Sequence, residues 1–320
     1  MDALHEAARV AARDCMGIQN HETVLIVTDT PTRKIGQALF NVCTDLCQEV
    51  FMLEMLPRQT NGEEPPEPVA EMMQMVDVVI APTRMSITHT NARRNACKAG
   101  TRVGTMPGIT EEVMIRTMRA DYHRVARLTY QVCDILNNGK MAHLSSPNGT
   151  DIWIPIEGIP AIASTGLIQE RGTFGNLPSG EAYLMPEEGK AEGVFVVDGS
   201  MAGIGLIQDQ PIRITVEKGQ AVKIEGGTEA RQLEAKIHEI GDLARNLAEL
   251  GVGTNDMAKI TGKILEDEKV LGTVHLALGN NVSMGGTVNV AFHVDGVIKS
   301  PTLKIDDQLL LENGTLLVSG

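Results

Sequence analysis

A chain of 320 residues with 42% hydrophobic and 22% charged residues is large enough for two domains, and its composition excludes a disordered, collagenous or coiled-coil protein. The formal charge of −13 argues against nucleic acid or an anionic membrane as partner, because polyanions are bound by clustered Lys and Arg. No stretch is apolar enough to span a membrane, and the opening MDALHEAARVAARD lacks the apolar core and cleavage site of a signal peptide, so a cytoplasmic protein is expected.

In chain order, a helix is expected from about Asp2 to Met16, a strand from Thr23 to Thr28, a helix from Arg33 to Leu46 and a strand from Glu49 to Leu56. The acidic, Pro-rich loop Asn61 to Pro68 leads to a short helix. A strand at Val76 to Ala81, a helix at Thr90 to Ala99, a strand at Arg102 to Thr105 and a long helix from Thr110 to about Leu136 follow. Short buried strands alternating with helices imply an α/β domain over residues 1–139 with a mostly parallel sheet. It carries neither GxGxxG nor GxxxxGK[ST], so the fold alone does not argue for a nucleotide.

The pattern changes at Asn137-Asn138-Gly139. Strands are expected at His143 to Ser146, Asp151 to Ile156, Gly193 to Asp198, Pro211 to Glu217 and Ala221 to Glu225, the last two forming a hairpin through Lys218-Gly219. A helix from Glu229 to Leu250 interrupts, and strands return at Val288 to His293, Thr302 to Ile305, Gln308 to Glu312 and Thr315 to Val318. Residues 140–320 therefore read as an α+β domain. This half is also the acidic one, with net −11 against −2 for residues 1–140. Such a surplus serves either solubility or a cation site. The five cysteines, Cys15, Cys43, Cys47, Cys97 and Cys133, lie in the first half with no CxxC and read as reduced, buried thiols.

The sharpest chemical signal is His293-Val294-Asp295. Alternation along a strand turns both side chains to one side, about 7 Å apart along the backbone, within reach of one cation. His275 in GTVHLALGNN reads as the end of a strand, either as a ligand or as an interior hydrogen-bonded histidine. Glu181 follows the NLPSG turn, and Glu249 closes the predicted helix against Gly251-Val252-Gly253; taken singly, each is equally a loop or helix-end charge. Together, three carboxylates and two imidazoles embedded in Gly-rich, apolar segments form the mixed O/N set of a two-metal hydrolytic centre with Zn, Mn or Co. The cluster Glu266-Asp267-Glu268-Lys269 reads as support for those ligands or, more simply, as a solvated turn.

The order NLPSGE, ELGVGTN, HLALGNN, HVDG resembles the metal-binding frame of the thermophilic-type metalloaminopeptidases, the aminopeptidase T and aminopeptidase S group, over roughly Gly149 to Pro301. The resemblance implies that Glu181, Glu249, His275, His293 and Asp295 bind two divalent metals (Zn, Co or Mn), that Glu181 or Glu249 moves the proton, that a metal-activated water cleaves an N-terminal residue from a small peptide or amide, and that the chain is a homodimer. One position departs from that pattern: Val282 stands where the family has a tyrosine.

Two alternatives accompany this reading. Ring-opening dioxygenases of the 2,5-dihydroxypyridine type are similar in fold and hold one Fe(II) through two His and one Asp, which His275, His293 and Asp295 would supply. Those relatives lack glutamate at the positions of Glu181 and Glu249, which places the hydrolase first. The other alternative is a non-catalytic metal-binding protein.

Overall fold

In the computed structural model, which describes residues 2–318, the chain divides into two compact units, Met1–Ala126 with Thr165–Ser179 and Arg127–Ser164 with Gly180–Gly320. The first is an α/β unit. Its sheet runs Glu49–Met55, Thr23–Asp29, Val78–Thr83, Arg102–Pro107, Phe174–Asn176 in spatial order, with every pair parallel. Thr23–Asp29 and Val78–Thr83 are buried along nearly their whole length because both faces of the sheet are covered. Val24, Ile26, Val78 and Ile80 join one apolar cluster with Leu39 and Val42, whereas Leu25, Val27, Val79 and Ala81 join another with Met73, Ala92 and Ala96. The mostly parallel sheet expected from the sequence is thus present.

The long helix expected from Thr110 is two helices, Glu111–Thr117 and Tyr122–Asn138. Asp121 begins the second by accepting from the backbone N–H groups of His123 and Arg124 at 3.0 and 3.1 Å, the role of an N-cap.

The second unit holds two antiparallel sheets. One has eight strands, ordered Gln220–Glu225, Ile212–Glu217, Glu192–Val197, Asp151–Pro155, Met141–Ser145, Thr302–Ile305, Gln308–Glu312, Thr315–Leu316. The other has seven, ordered Gly205–Leu206, Ser200–Met201, His293–Ile298, Val274–Gly279, Leu247–Gly253, Glu181–Leu184, Ile162–Ser164. Leu144, Ile154, Phe195 and Ile214 of the first sheet share one core with Leu184, Leu250, Val252, Leu276 and Leu278 of the second. Alternation then decides the rest: if Leu250, Val252, Leu276 and Leu278 face this core, the odd-numbered residues between them face away from it.

Three expectations are corrected here. The helix starting near Glu229 ends at Ile240, where Gly241 at φ 104° stops it, and after a short turn the chain becomes the strand Leu247–Gly253. The spacing of Leu243, Leu247 and Leu250 mimicked a helical face. The strand expected at Val288 to His293 instead begins at His293, because the preceding segment is held as a loop by Asn281 N to Val288 O at 3.2 Å and Asn280 N to Phe292 O at 2.7 Å. Glu181 opens a strand rather than ending a loop. No helix among the described residues is long and apolar enough to cross a membrane.

Candidate metal centre

All five residues singled out as ligands lie on one face of the seven-stranded sheet. Register brings Ala277 opposite both Glu249 and Asp295, Gly279 opposite His293, Gly251 opposite both His275 and Tyr183, and Gly253 opposite Glu181. Directly opposed residues of an antiparallel pair share a face. The ligand-type side chains therefore alternate with Gly251, Gly253, Ala277 and Gly279.

Gly251 is required for this. A Cβ there would lie 2.1 Å from His275 Nε2, so the imidazole of His275 occupies the place a side chain would take. The ring is fully buried and reaches Glu249 Oε1 at 3.2 Å and Glu181 Oε2 at 3.5 Å. Two rows away, His293 Nε2 lies 3.4 Å from Glu249 Oε2 and 3.4 Å from Asp295 Oδ1. Its Nδ1 donates to the carbonyl of Asn280 at 2.7 Å, which fixes the ring and turns Nε2 toward the two carboxylates. The His293 side chain is 33% exposed, whereas those of Glu181, Glu249, His275 and Asp295 are nearly covered, so His293 marks the open side.

The five atoms fall into two overlapping sets. Glu181, Glu249 and His275 form one, and Glu249, His293 and Asp295 the other, each with its ligand atoms within 4.8 Å of one another and Glu249 common to both. The two histidines do not join Asp295 in a single set of that compactness.

Burial and mutual attraction compete across this group. Burial opposes the charge of Glu249, but hydrogen bonds from His275 and His293 outweigh it and hold its carboxyl below the usual range. Burial likewise opposes Asp295, and the nearby His293 draws it down to about 2. Desolvation disfavours protonated His275, yet the Glu249 hydrogen bond and the charge of Glu181 raise it to about 9. Two buried atoms nevertheless stay without a hydrogen-bond partner, Glu181 Oε2 and His275 Nδ1. Three carboxylates and two imidazoles facing one another, with an unsatisfied carboxylate oxygen among them, suit a divalent cation with mixed O/N preference.

Reading from sequence missed one neighbour and ranked the other second to a solvated turn. Tyr183 faces the same side as Glu181, and burial together with the charges of Glu181 and Glu249 raises its phenol above the usual range, so it stays a hydrogen-bond donor. Lys269 is buried, with its ammonium against Glu181 and Glu268, although its cluster reads more simply as a solvated turn. Glu266 and Asp267 are also fully buried: they accept from the backbone N–H groups of Lys259, Thr261 and Gly262 and so pin that loop. The signal for these was in the sequence, since a buried acidic run needs donors and KITGKILEDEK supplies them within eleven residues. Val282 is 46% exposed, and the amides of Asn280 and Asn281 are turned to Val290 O and Glu188.

The sequence profile of the NicX family, 2,5-dihydroxypyridine 5,6-dioxygenase, matches residues 5–318. The chain belongs to that family. A 2,5-dihydroxypyridine 5,6-dioxygenase from Pseudomonas putida KT2440 is 24% identical over 257 residues, covering 77% of this chain and 72% of the relative. The solved structure of 2,5-dihydroxypyridine dioxygenase from Pseudomonas putida KT2440 superposes with a TM-score of 0.85 at 19% identity, covering 100% of this chain and 99% of that one. Wild-type AmpT from Thermus thermophilus superposes with a TM-score of 0.73 at 17% identity, covering 99% of each. At such identities the superpositions establish a shared fold alone.

Membership of the NicX family overturns the first reading of the sequence as an aminopeptidase, and with it the assignment as a metallopeptidase or any other hydrolase. The order of motifs reflects a fold common to both groups, and glutamate at positions 181 and 249 does not by itself distinguish their chemistries. The claim of two Zn, Co or Mn ions loses its basis in the same way; groups able to hold a metal are present.

Proposed function

We propose that this chain is a mononuclear Fe(II) dioxygenase that opens the ring of a hydroxylated pyridine of the 2,5-dihydroxypyridine type. The observation that carries the reading is the family match across residues 5–318, joined to a His293–Asp295 pair whose Nε2 and Oδ1 converge at 3.4 Å on the open side of the site. In this reading His293 and Asp295 hold the iron, with the third position taken from Glu249 or His275, the two groups that face each other at 3.2 Å. The donor set fits Fe(II), which accepts imidazole and carboxylate together and keeps positions open when held by three protein ligands. Bound iron supplies the redox chemistry by which dioxygen reacts with a closed-shell aromatic ring.

The chain's own residues do the rest. The Asn280 carbonyl holds His293 in the tautomer that offers Nε2. The absence of side chains at Gly251 and Gly253 lets the His275 ring and the Val270 carbonyl close over the strand beside the carboxylates. Tyr183 presents a phenol O–H to a ring oxygen or nitrogen, and burial of the acidic ligands keeps bulk water from the reacting atoms.

The test is anaerobic reconstitution with Fe(II) followed by simultaneous measurement of oxygen uptake and of the absorbance of 2,5-dihydroxypyridine. One oxygen consumed per ring opened, with one iron per chain, is expected. An iron-loaded protein that consumes no oxygen with this or related hydroxylated pyridines would falsify the proposal.

A further inference from the structure

Lys269 is the one lysine among the described residues that the fold buries completely, its side chain only 1% exposed, and nothing in the chemistry above uses it. It follows the short helix Ile264–Asp267, which is anchored by the carboxylates of Glu266 and Asp267 on the loop Lys259–Gly262. The backbone of Lys269 is fixed as well: its carbonyl accepts from Asn255 N at 2.8 Å and its N–H donates to Glu266 O at 2.9 Å. From this fixed base the ammonium donates to Glu181 Oε1 at 2.5 Å and to Glu268. A buried ammonium is costly unless its protons are taken up, and two carboxylates take them here.

The consequence falls on Glu181. One of its oxygens is held by Lys269, and the other, Oε2, is buried without a hydrogen-bond partner and faces His275 Nε2 at 3.5 Å. Gly253 lies opposite Glu181, and a Cβ there would meet the carbonyl of Val270 at 2.1 Å, so the segment carrying Lys269 packs directly on the strand beside the carboxylate. Glu181 is thus held at both ends, by its strand and by the lysine.

We propose that Lys269 is a positioning residue for the metal centre: it ties Glu181 through Oε1 so that Oε2 alone points into the site, toward the His275 side. The inference rests on the reading of this face as a metal site, where Glu181 acts either as a ligand or on one through His275, which its Oε2 faces at 3.5 Å. It assigns Lys269 no contact with metal or substrate. Losing a partner that orients a ligand in this way typically lowers metal affinity about 10–100-fold.

The experiment is a double-mutant cycle read by metal affinity rather than activity, with full-length parent, K269M, E181Q and E181Q/K269M titrated anaerobically with Fe(II), and with Co(II) as a spectroscopic reporter, against a competing chelator. K269M is expected to weaken binding about 10–100-fold and to alter the Co(II) absorption bands, K269R to recover part of the loss, and K269M to have no further effect once Glu181 is already Gln. Additive losses in the double variant, or a K269M affinity equal to the parent's, overturn the proposal. Should K269M fold poorly, E181Q/K269M removes both members of the pair, and an affinity below that of E181Q alone overturns it equally. A parent that binds neither metal overturns the site reading instead, so the two failures are distinct.

Discussion

His275 lies over the backbone of Gly251, with its Nε2 where the Cβ of any other residue would stand. The glycine and the histidine are therefore one feature: the strand Leu247–Gly253 gives up a side chain so that the ring on Val274–Gly279 reaches Glu249 and Glu181. Gly251→Ala is expected to destabilise the protein by about 1–3 kcal/mol, as overpacking does, and to weaken metal binding by turning the imidazole aside. Thermal denaturation and chelator competition measure both, and an alanine variant equal to the parent in each would remove the constraint.

Metal should stabilise the second unit, because the folded chain gathers ligands that the unfolded chain scatters. At a free metal concentration of 100 times the dissociation constant the gain is about 2.7 kcal/mol, or roughly 5–10 °C in Tm for a unit of this size. Dialysis against chelator followed by readdition of Fe(II) should lower and then restore Tm in the parent. His293→Ala and Asp295→Ala should show little of that response while keeping the parent's circular dichroism; a full metal-dependent shift in either variant would count against the pair as ligands.

Tyr183→Phe removes one hydroxyl and no packing. Stability should change by no more than about 0.5 kcal/mol. If the phenol contacts a ring oxygen or nitrogen of the substrate, kcat/KM for 2,5-dihydroxypyridine should fall about threefold to tenfold, the worth of one hydrogen bond of roughly 1 kcal/mol. Steady-state oxygen uptake decides this, and an unchanged kcat/KM would leave Tyr183 without a role at the ring.

In the α/β unit, Glu22 and Arg102 form a buried bidentate pair, with Nη1 to Oε1 and Nη2 to Oε2 both at 2.6 Å. Burial pushes Glu22 up, but the Arg102 hydrogen bond and charge prevail and its pKa is lowered from the ordinary 4.5. A carboxylate depressed in the folded state contributes stability that is fully present above the unfolded pKa and is lost as pH falls through the folded one. Stability to denaturant should accordingly fall below about pH 4.5. Glu22→Gln should flatten that part of the profile and, by leaving Arg102 buried and unpaired, cost about 3–5 kcal/mol at neutral pH. A variant that keeps the parent's acid sensitivity would point to other carboxylates.

Much of the first unit was legible because period and composition agree there: TVLIVTD and VVIAPT are apolar runs bounded by turns, and the helices between them carry plain apolar stripes. The site was legible as a set of residues, since His and carboxylates inside glycine-rich apolar segments are conspicuous. Its elements were harder to read. Glu249 sits on a strand and not on a helix because Gly241 ends the helix eight residues earlier, and nothing local to LAEL distinguishes a buried strand from a helical turn. The five side chains come together only through the pairing of strands far apart in sequence, and that register is absent from any single window. For Lys269 the solvated turn is the simpler reading, because an acidic run with one lysine is ordinarily exposed; the partner beside which it is buried, Glu181, is 88 residues away.

The ladder formed by Glu181–Leu184, Leu247–Gly253, Val274–Gly279 and His293–Ile298 sets the spacing of the reactive side chains through main-chain hydrogen bonds, whatever ligand-type residue stands at each rung. Exchange of one ligand type for another at any rung leaves the other rungs where they are. A single substitution among the ligand-type residues should therefore change which groups meet a cation without moving the strands that carry the rest.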